Sequence, residues 1–208
     1  MATLNKRGNG GEESPKLVVS IPKPDIKVMS VKIKNMDGSS LISHRFSDKA
    51  KNSIIKKQLK EATRGYEKKD PKELFEACIH YTEDGKPGYR ADGLKKAMVN
   101  AADIVGIKMT QARKAFFVVG DVIPFSKYSK PVMREDFPRI ATGNPDWRIR
   151  AEFHNWEMNV SIRYNAHYFS ADQIINLLSN AGFHCGIGDW RPSAPKSSGN
   201  HGMFEIIN

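Results

Sequence analysis

Several features that would each announce a class of protein are missing. No apolar run comes near the ~20 residues that a membrane-spanning helix requires, so no spanning segment is expected. Cysteine occurs only as Cys78 and Cys185, far apart in 208 residues. The opening stretch MATLNKRGNGGEESPK has no apolar segment of the kind a secretory signal carries. The expectation is two reduced thiols in a cytoplasmic protein, not a disulfide framework. There is no P-loop, no G-x-S-x-G and no H-E-x-x-H. The histidines are His44, His80, His154, His167, His184 and His201, and no two stand four residues apart as metal ligands on a helix do. His184 and Cys185 are adjacent, so in a strand they point opposite ways. No metal and no cofactor are expected.

Acidic residues are also in short supply. Lys and Arg number 33 against 23 Asp and Glu, a net charge of +10. That balance favours a polyanionic partner, nucleic acid first and an anionic membrane surface second; nucleic acid is the partner expected, and no membrane.

Along the chain, residues 1–16 are polar and glycine-bearing and read as a flexible arm. The stretch IKVMSVKIKNMDGSSLISHRF reads as a β-hairpin: Val31 and Ile33 alternate with Lys32 and Lys34, and Asp37-Gly38 is a turn signal. Ser47 caps a helix expected to run to about Thr63, with Ile54, Ile55, Leu59 and Ala62 as its apolar stripe. Its lysines are either a phosphate-facing surface or a solvated face. Asp70-Pro71 resembles a helix start, but Phe75, Ala77, Ile79 and Tyr81 alternate, which predicts a strand over 74–82. Leu94, Ala97, Met98, Ala101, Ala102 and Val105 give a helix over 92–105, closed by Gly106. The apolar run AFFVVGDVI predicts a central strand over 115–123, covered on both faces. Residues 126–147 lack periodicity and read as a long connection. Alternation returns at Ile149, Ala151 and Phe153, then at Met158, Val160, Ile162 and Tyr164, with Asn159, Ser161 and Arg163 facing the other way. Ser170 and Gln173 form a capping box for a helix over 171–181, ended by Gly182.

With residues of about 35–90 set aside as an insertion holding a hairpin arm and a basic helix, the order is βαββαβ. That order predicts an α+β, ferredoxin-like (RNA-recognition-like) antiparallel sheet with helices on one face, forming one domain over 17–208. The other face is then free for single-stranded nucleic acid.

The run GIGDWRPSAPKSSGNHGMFEI resembles the glycine-rich loop of the RAMP superfamily, the RNA-binding subunits of CRISPR effectors. Gly186, Gly188, Arg191, Gly199 and Gly202 match in kind, followed by the short apolar strand Met203-Phe204-Glu205-Ile206. GYRADGLKKAMVNAA is similar to the segment that leads into the first helix of the backbone subunits. The combination of GIGDWRP with a later glycine and phenylalanine also resembles bacteriophage proteins. The resemblance implies an RNA-binding chain that assembles into a filament or oligomer. In it, glycines let backbone N–H groups approach phosphates.

The candidate nucleic-acid contacts are Lys32, Lys34, Arg45, Arg90, Lys95, Lys96, Arg163, Gly186, Gly188, Trp190, Arg191, Lys196, Gly199 and Gly202. Trp190 either stacks on a base or plugs the loop. Arg191 meets either a phosphate or a carboxylate such as Asp189. The expected function is sequence-tolerant binding of single-stranded RNA, or DNA. One alternative is a structural or inhibitory interaction module mimicking a CRISPR-type backbone subunit. Another is a metal-independent ribonuclease, in which His44 or His201 would stand near a 2′-oxygen. No catalytic residue is assigned.

Overall fold

The computed structural model describes residues 21–61, 69–139, 143, 145–195 and 198–207. The expected arm over 1–16 and Lys196 lie outside the described residues.

The strands are β1 (Ile26–Asn35), β2 (Leu41–Ser43), β3 (His80–Tyr81), β4 (Pro87–Arg90), β5 (Phe116–Val118), β6 (Val122–Tyr128), β7 (Val132–Asp136), β8 (Arg148–Phe153), β9 (Trp156–Asn165) and β10 (Phe204–Ile207). The helices are α1 (Asp48–Gln58), α2 (Pro71–Ala77), α3 (Ala91–Ile104), α4 (Met109–Ala115) and α5 (Ala171–Asn180). The larger sheet has the order β10-β1-β9-β6-β4-β3, with β5 also paired to β9, and a smaller sheet has the order β2-β8-β7. All these pairings are antiparallel. The protein is therefore an α+β chain with antiparallel sheets.

Strand β9 shows why the larger sheet has one dry face. Trp156, Met158, Val160, Ile162 and Tyr164 are buried, while Asn159 and Arg163 between them are exposed. A two-residue side-chain period sends alternate residues to opposite faces. On the dry face sit α3 and α5, through Leu94, Met98, Ile174, Leu177 and Leu178. Ala97, Ala101 and Ala102 line the buried side of α3 and let its backbone lie close to the sheet. The capping box of Ser170 and Gln173 forms as expected and satisfies backbone groups at the start of α5. After α5 the chain makes a π-turn over Ala181–Cys185 and leaves it at Gly186, at φ +63°. Gly182 sits inside that turn, where a Cβ would overlap the Phe204 carbonyl, so it is a close-approach glycine and not the helix end.

The expected hairpin is corrected. The Asp37-Gly38 turn forms, with Gly38 at φ +74° and the Ser39 N–H donating to the Met36 carbonyl at 2.9 Å. The second arm does not return along β1, because β9 and β10 occupy both edges of that strand. It becomes β2 and pairs with β8, Leu41 opposite Phe153. The expected strand over 74–82 is mostly α2, with Pro71 in its first turn and Asp70 Oδ1 accepting from the Lys72 N–H at 2.9 Å. A real cap and an N-terminal proline outweigh four alternating residues. The strand signal survives only as His80–Tyr81.

The run over 115–123 is divided. Its first residue closes α4, and Gly120 at φ +90° separates β5 from β6. Phe117 and Val119 are exposed, so the strand is covered on one face and not on both. The connection expected over 126–147 contains the end of β6 and all of β7. Helix α1 starts at its Ser47 cap as expected and ends at Gln58, short of Thr63. None of its residues is buried. The alternating stretch over 148–164 is two strands in two different sheets.

Candidate nucleic-acid interface

The glycine-rich segment is a stitched loop whose amides are used internally. The Gly186 N–H donates to the Ala181 carbonyl at 2.9 Å, and the Gly202 N–H to the Ser40 carbonyl at 2.7 Å. The Gly199 N–H donates to the Arg191 carbonyl at 3.4 Å, and the Gly188 N–H to Tyr89 Oη at 2.9 Å. These are the four glycines expected to offer N–H groups to phosphates. Their chain geometry explains them instead. Gly186, Gly188 and Gly202 have φ of +63°, +81° and +70°, and at Gly202 a Cβ would overlap the backbone of Ile187. Trp190 is half-buried at φ +55°, and its carbonyl accepts from the His201 N–H at 3.2 Å. Arg191 meets neither Asp189 nor any other carboxylate among the described residues. It donates to the Gly188 carbonyl at 2.8 Å and to Ser193 Oγ at 3.2 Å, bracing the turn.

A chain of charges fixes this loop to the smaller sheet. Arg150, 4% exposed, donates from Nε to Asp189 Oδ2 at 2.8 Å and from a terminal nitrogen to Asp136 Oδ2 at 3.3 Å. Arg134 bonds Asp136 Oδ1 at 2.9 Å and Glu152 Oε2 at 3.4 Å. Glu152 Oε1 accepts from Ser40 Oγ at 2.5 Å, and Ser40 Oγ lies 2.9 Å from His201 Nδ1. Burial holds the His201 imidazole below its usual pKa. His201 is thus a partner of this chain of contacts.

Between the loop and the start of α3 lies a cleft of about 260 Å³, lined by His44, His80, Tyr89, Arg90, Lys96 and Arg191 among others. It brings together five of the sequence candidates: Arg90, Lys96, Gly186, Gly188 and Arg191. Arg90 forks onto Asp92, with Nε 2.9 Å from Oδ1. Asp189 also lines the cleft, and His44 Nδ1 stands 4.0 Å from its Oδ2. Burial pushes both His44 and His80 below the usual imidazole range, and it pushes the Tyr89 phenol up.

The second surface is the face of the larger sheet opposite the helices. At one end its charges cancel: Lys32 meets Glu157 at 2.5 Å, Lys127 meets the same carboxylate at 3.3 Å, and Lys34 meets Glu205 at 2.9 Å. The other end is different. Arg163 on β9 stands opposite Val28 of β1 on one side and Phe117 of β5 on the other. Val28 is 60% exposed and Phe117 49%. Arg163 is exposed and makes no ion pair among the described residues. Lys95 reaches this row from α3, its Nζ 3.8 Å from the centre of the Phe117 ring. Next along the strands, Ser30 faces Ser161, their hydroxyls 3.1 Å apart. Arg45 stands apart from both surfaces, 3.7 Å from Asp48 at the start of α1.

Sequence reasoning missed Phe117, Val28, His80 and Tyr89. The doublet Phe116-Phe117 held the signal for the first: in a strand, one of two adjacent aromatics must face outward. Among the described residues there is no cluster of His, Cys, Asp and Glu that would hold a metal.

No family model matches the sequence, and no curated protein matches it. Among solved structures, the chain is similar to one in the cryo-EM structure of the Type III-B Cmr-beta bound to cognate target RNA. The identity is 13% and the TM-score 0.48, over 88% of this chain and 59% of that one, so this chain spans less than two thirds of the protein it resembles.

Proposed function

We propose that the protein binds single-stranded nucleic acid, RNA in preference to DNA, across the bare end of its larger sheet. The observation that carries this is the exposed row Val28–Arg163–Phe117, in which a half-exposed aromatic ring, with Lys95 over one of its faces, and an unpaired guanidinium lie side by side on the sheet. An exposed ring gives every base a π-face to stack on, and a cation beside it meets the backbone phosphate. The hydroxyls of Ser30 and Ser161 are at hand for a ribose 2′-OH, the group that distinguishes RNA. We read the strand order β10-β1-β9-β6, with α3 and α5 on one face, as the ferredoxin-like βαββαβ plan. On that plan the sheet face is the binding platform.

The test is fluorescence anisotropy with labelled oligouridine of about ten nucleotides, within the usual single-strand site size. Phe117→Ala is expected to weaken binding by roughly 5- to 150-fold, the loss of one stacking contact of about 1–3 kcal/mol. Arg163→Ala is expected to weaken it and to lower the salt slope by about 0.7. Unchanged affinity in both variants overturns the reading.

A second reading, a protein-interaction module, is favoured by one observation. Helix α1 buries nothing, and Ile54 and Ile55 on it and Leu59 at its C-cap stand exposed. Concentration-dependent self-association lost in Leu59→Arg, with no RNA affinity in the parent, would replace the first reading with this one.

A further inference from the structure

The cleft between the glycine-rich loop and α3 carries unmatched donors, and they are of one kind. Of the cations lining it, Arg90 is balanced by Asp92. Its other carboxylate, Asp189, is balanced by Arg150. Lys96 and Arg191 remain, neither in an ion pair among the described residues. Tyr89 Oη accepts from the Gly188 N–H, and its own hydroxyl proton has no acceptor among the described residues. Arg90, which precedes α3, supplies no side-chain cap. The Ala91 N–H goes to the Asp121 carbonyl, and Asp92 and Gly93, both lining residues, follow it in the first turn of α3, where backbone amides have no carbonyl one turn back to bond. Asn100, also a lining residue, makes no side-chain hydrogen bond among them. The cavity thus presents two uncompensated positive charges and an array of neutral donors, with its acidic groups already paired. At about 260 Å³ it falls just below the ~300 Å³ at which sites for whole drug-sized ligands begin.

We propose that this cleft is a binding site for a phosphomonoester, the terminal phosphate of a nucleotide or of a nucleic-acid strand. A terminal phosphate has three free oxygens and up to two negative charges at neutral pH. It can take Lys96, Arg191, the Tyr89 hydroxyl and the two helix amides together. An internal phosphodiester has two free oxygens and one charge, and leaves donors unmatched. The cleft borders the loop and the helix layer, so it is separate from the bare sheet face and does not rest on the strand-binding reading.

The experiment has two arms. In the first, calorimetry compares uridine 5′-monophosphate with uridine. In the second, anisotropy compares 5′-phosphorylated with 5′-hydroxyl oligouridine. Binding of the monophosphate but not of uridine supports the site, with a free nucleotide as the source. An affinity gain of fivefold or more on 5′-phosphorylation supports it with a strand end as the source. Lys96 is exposed, so Lys96→Met is expected to fold as the parent does. It should abolish either gain and leave 5′-hydroxyl oligouridine unaffected, while the control Lys72→Met changes neither. Arg163→Ala, by contrast, should weaken both oligonucleotides equally. The proposal is overturned if neither arm shows a phosphate-dependent gain, or if the gain survives Lys96→Met.

Discussion

Removing the Arg150 side chain should release the glycine-rich loop from the smaller sheet. The guanidinium is 4% exposed and bridges Asp136 and Asp189, at 3.3 and 2.8 Å. Breaking a buried ion pair from one side costs about 3–5 kcal/mol, because a charge is left without its partner. Here the two carboxylates differ. Asp136 is nearly buried but keeps Arg134 at 2.9 Å. Asp189 loses the one Lys or Arg that pairs with it among the described residues, yet is a third exposed, with His44 4.0 Å away. Both facts favour the low end, about 3 kcal/mol for Arg150→Met. For a chain of this length each kcal/mol shifts the melting temperature by about 2–4 °C, so the fall should be about 6–12 °C. Circular dichroism melting measures it. The double variant Arg150→Met/Asp189→Asn should recover part of the loss, since it removes the stranded charge. A fall under 2 °C, or no recovery in the double variant, would refute the reasoning.

Gly202→Ala forces a side chain into φ +70° against the backbone of Ile187, and should cost at least ~2 kcal/mol in chemical denaturation; a neutral result would mean the loop can move aside. Burial holds His44, His80 and His201 below the ordinary 6.5 in the folded chain. The unfolded chain therefore binds more protons near that pH, and stability should fall as pH drops from 7.5 to 5.5; a flat melting profile over that window would count against it. Single-strand binding should weaken linearly in log salt, at about −0.7 per neutralised phosphate; an affinity indifferent to salt would remove the electrostatic part of the proposal.

What the sequence made legible was whatever a local period decides. Strand β9 is regular enough that its buried face could be read residue by residue, and most of the buried face of α3 likewise, though Val105, read as part of it, lies past the helix end and is exposed; Ser170 with Gln173 fixed the start of α5. What it hid depends on distant partners. Leu41–Ser43 has a sound turn before it, yet cannot pair with β1 because strands 120 or more residues later hold both edges. The short β7 is a strand because β8 is there to receive it. The glycines of 186–202 were visible as a cluster, but their purpose was not. That depends on the Tyr89 hydroxyl and the Ser40 carbonyl, which arrive from far along the chain. Phe117 escaped notice because an apolar run was read as buried on both sides, when α3 and α5 cover only one.

The position of β1 has a consequence for how the chain comes off the ribosome. Its neighbours are residues 156–165 and 204–207. That strand therefore has no partner in the larger sheet until about 120 more residues have been made. At ~5–20 residues per second that is roughly 6–24 s with Met29, Val31 and Ile33 uncovered. Lys32 and Lys34, alternating along the same strand, are charges of the kind that discourages exposed strands from pairing with one another.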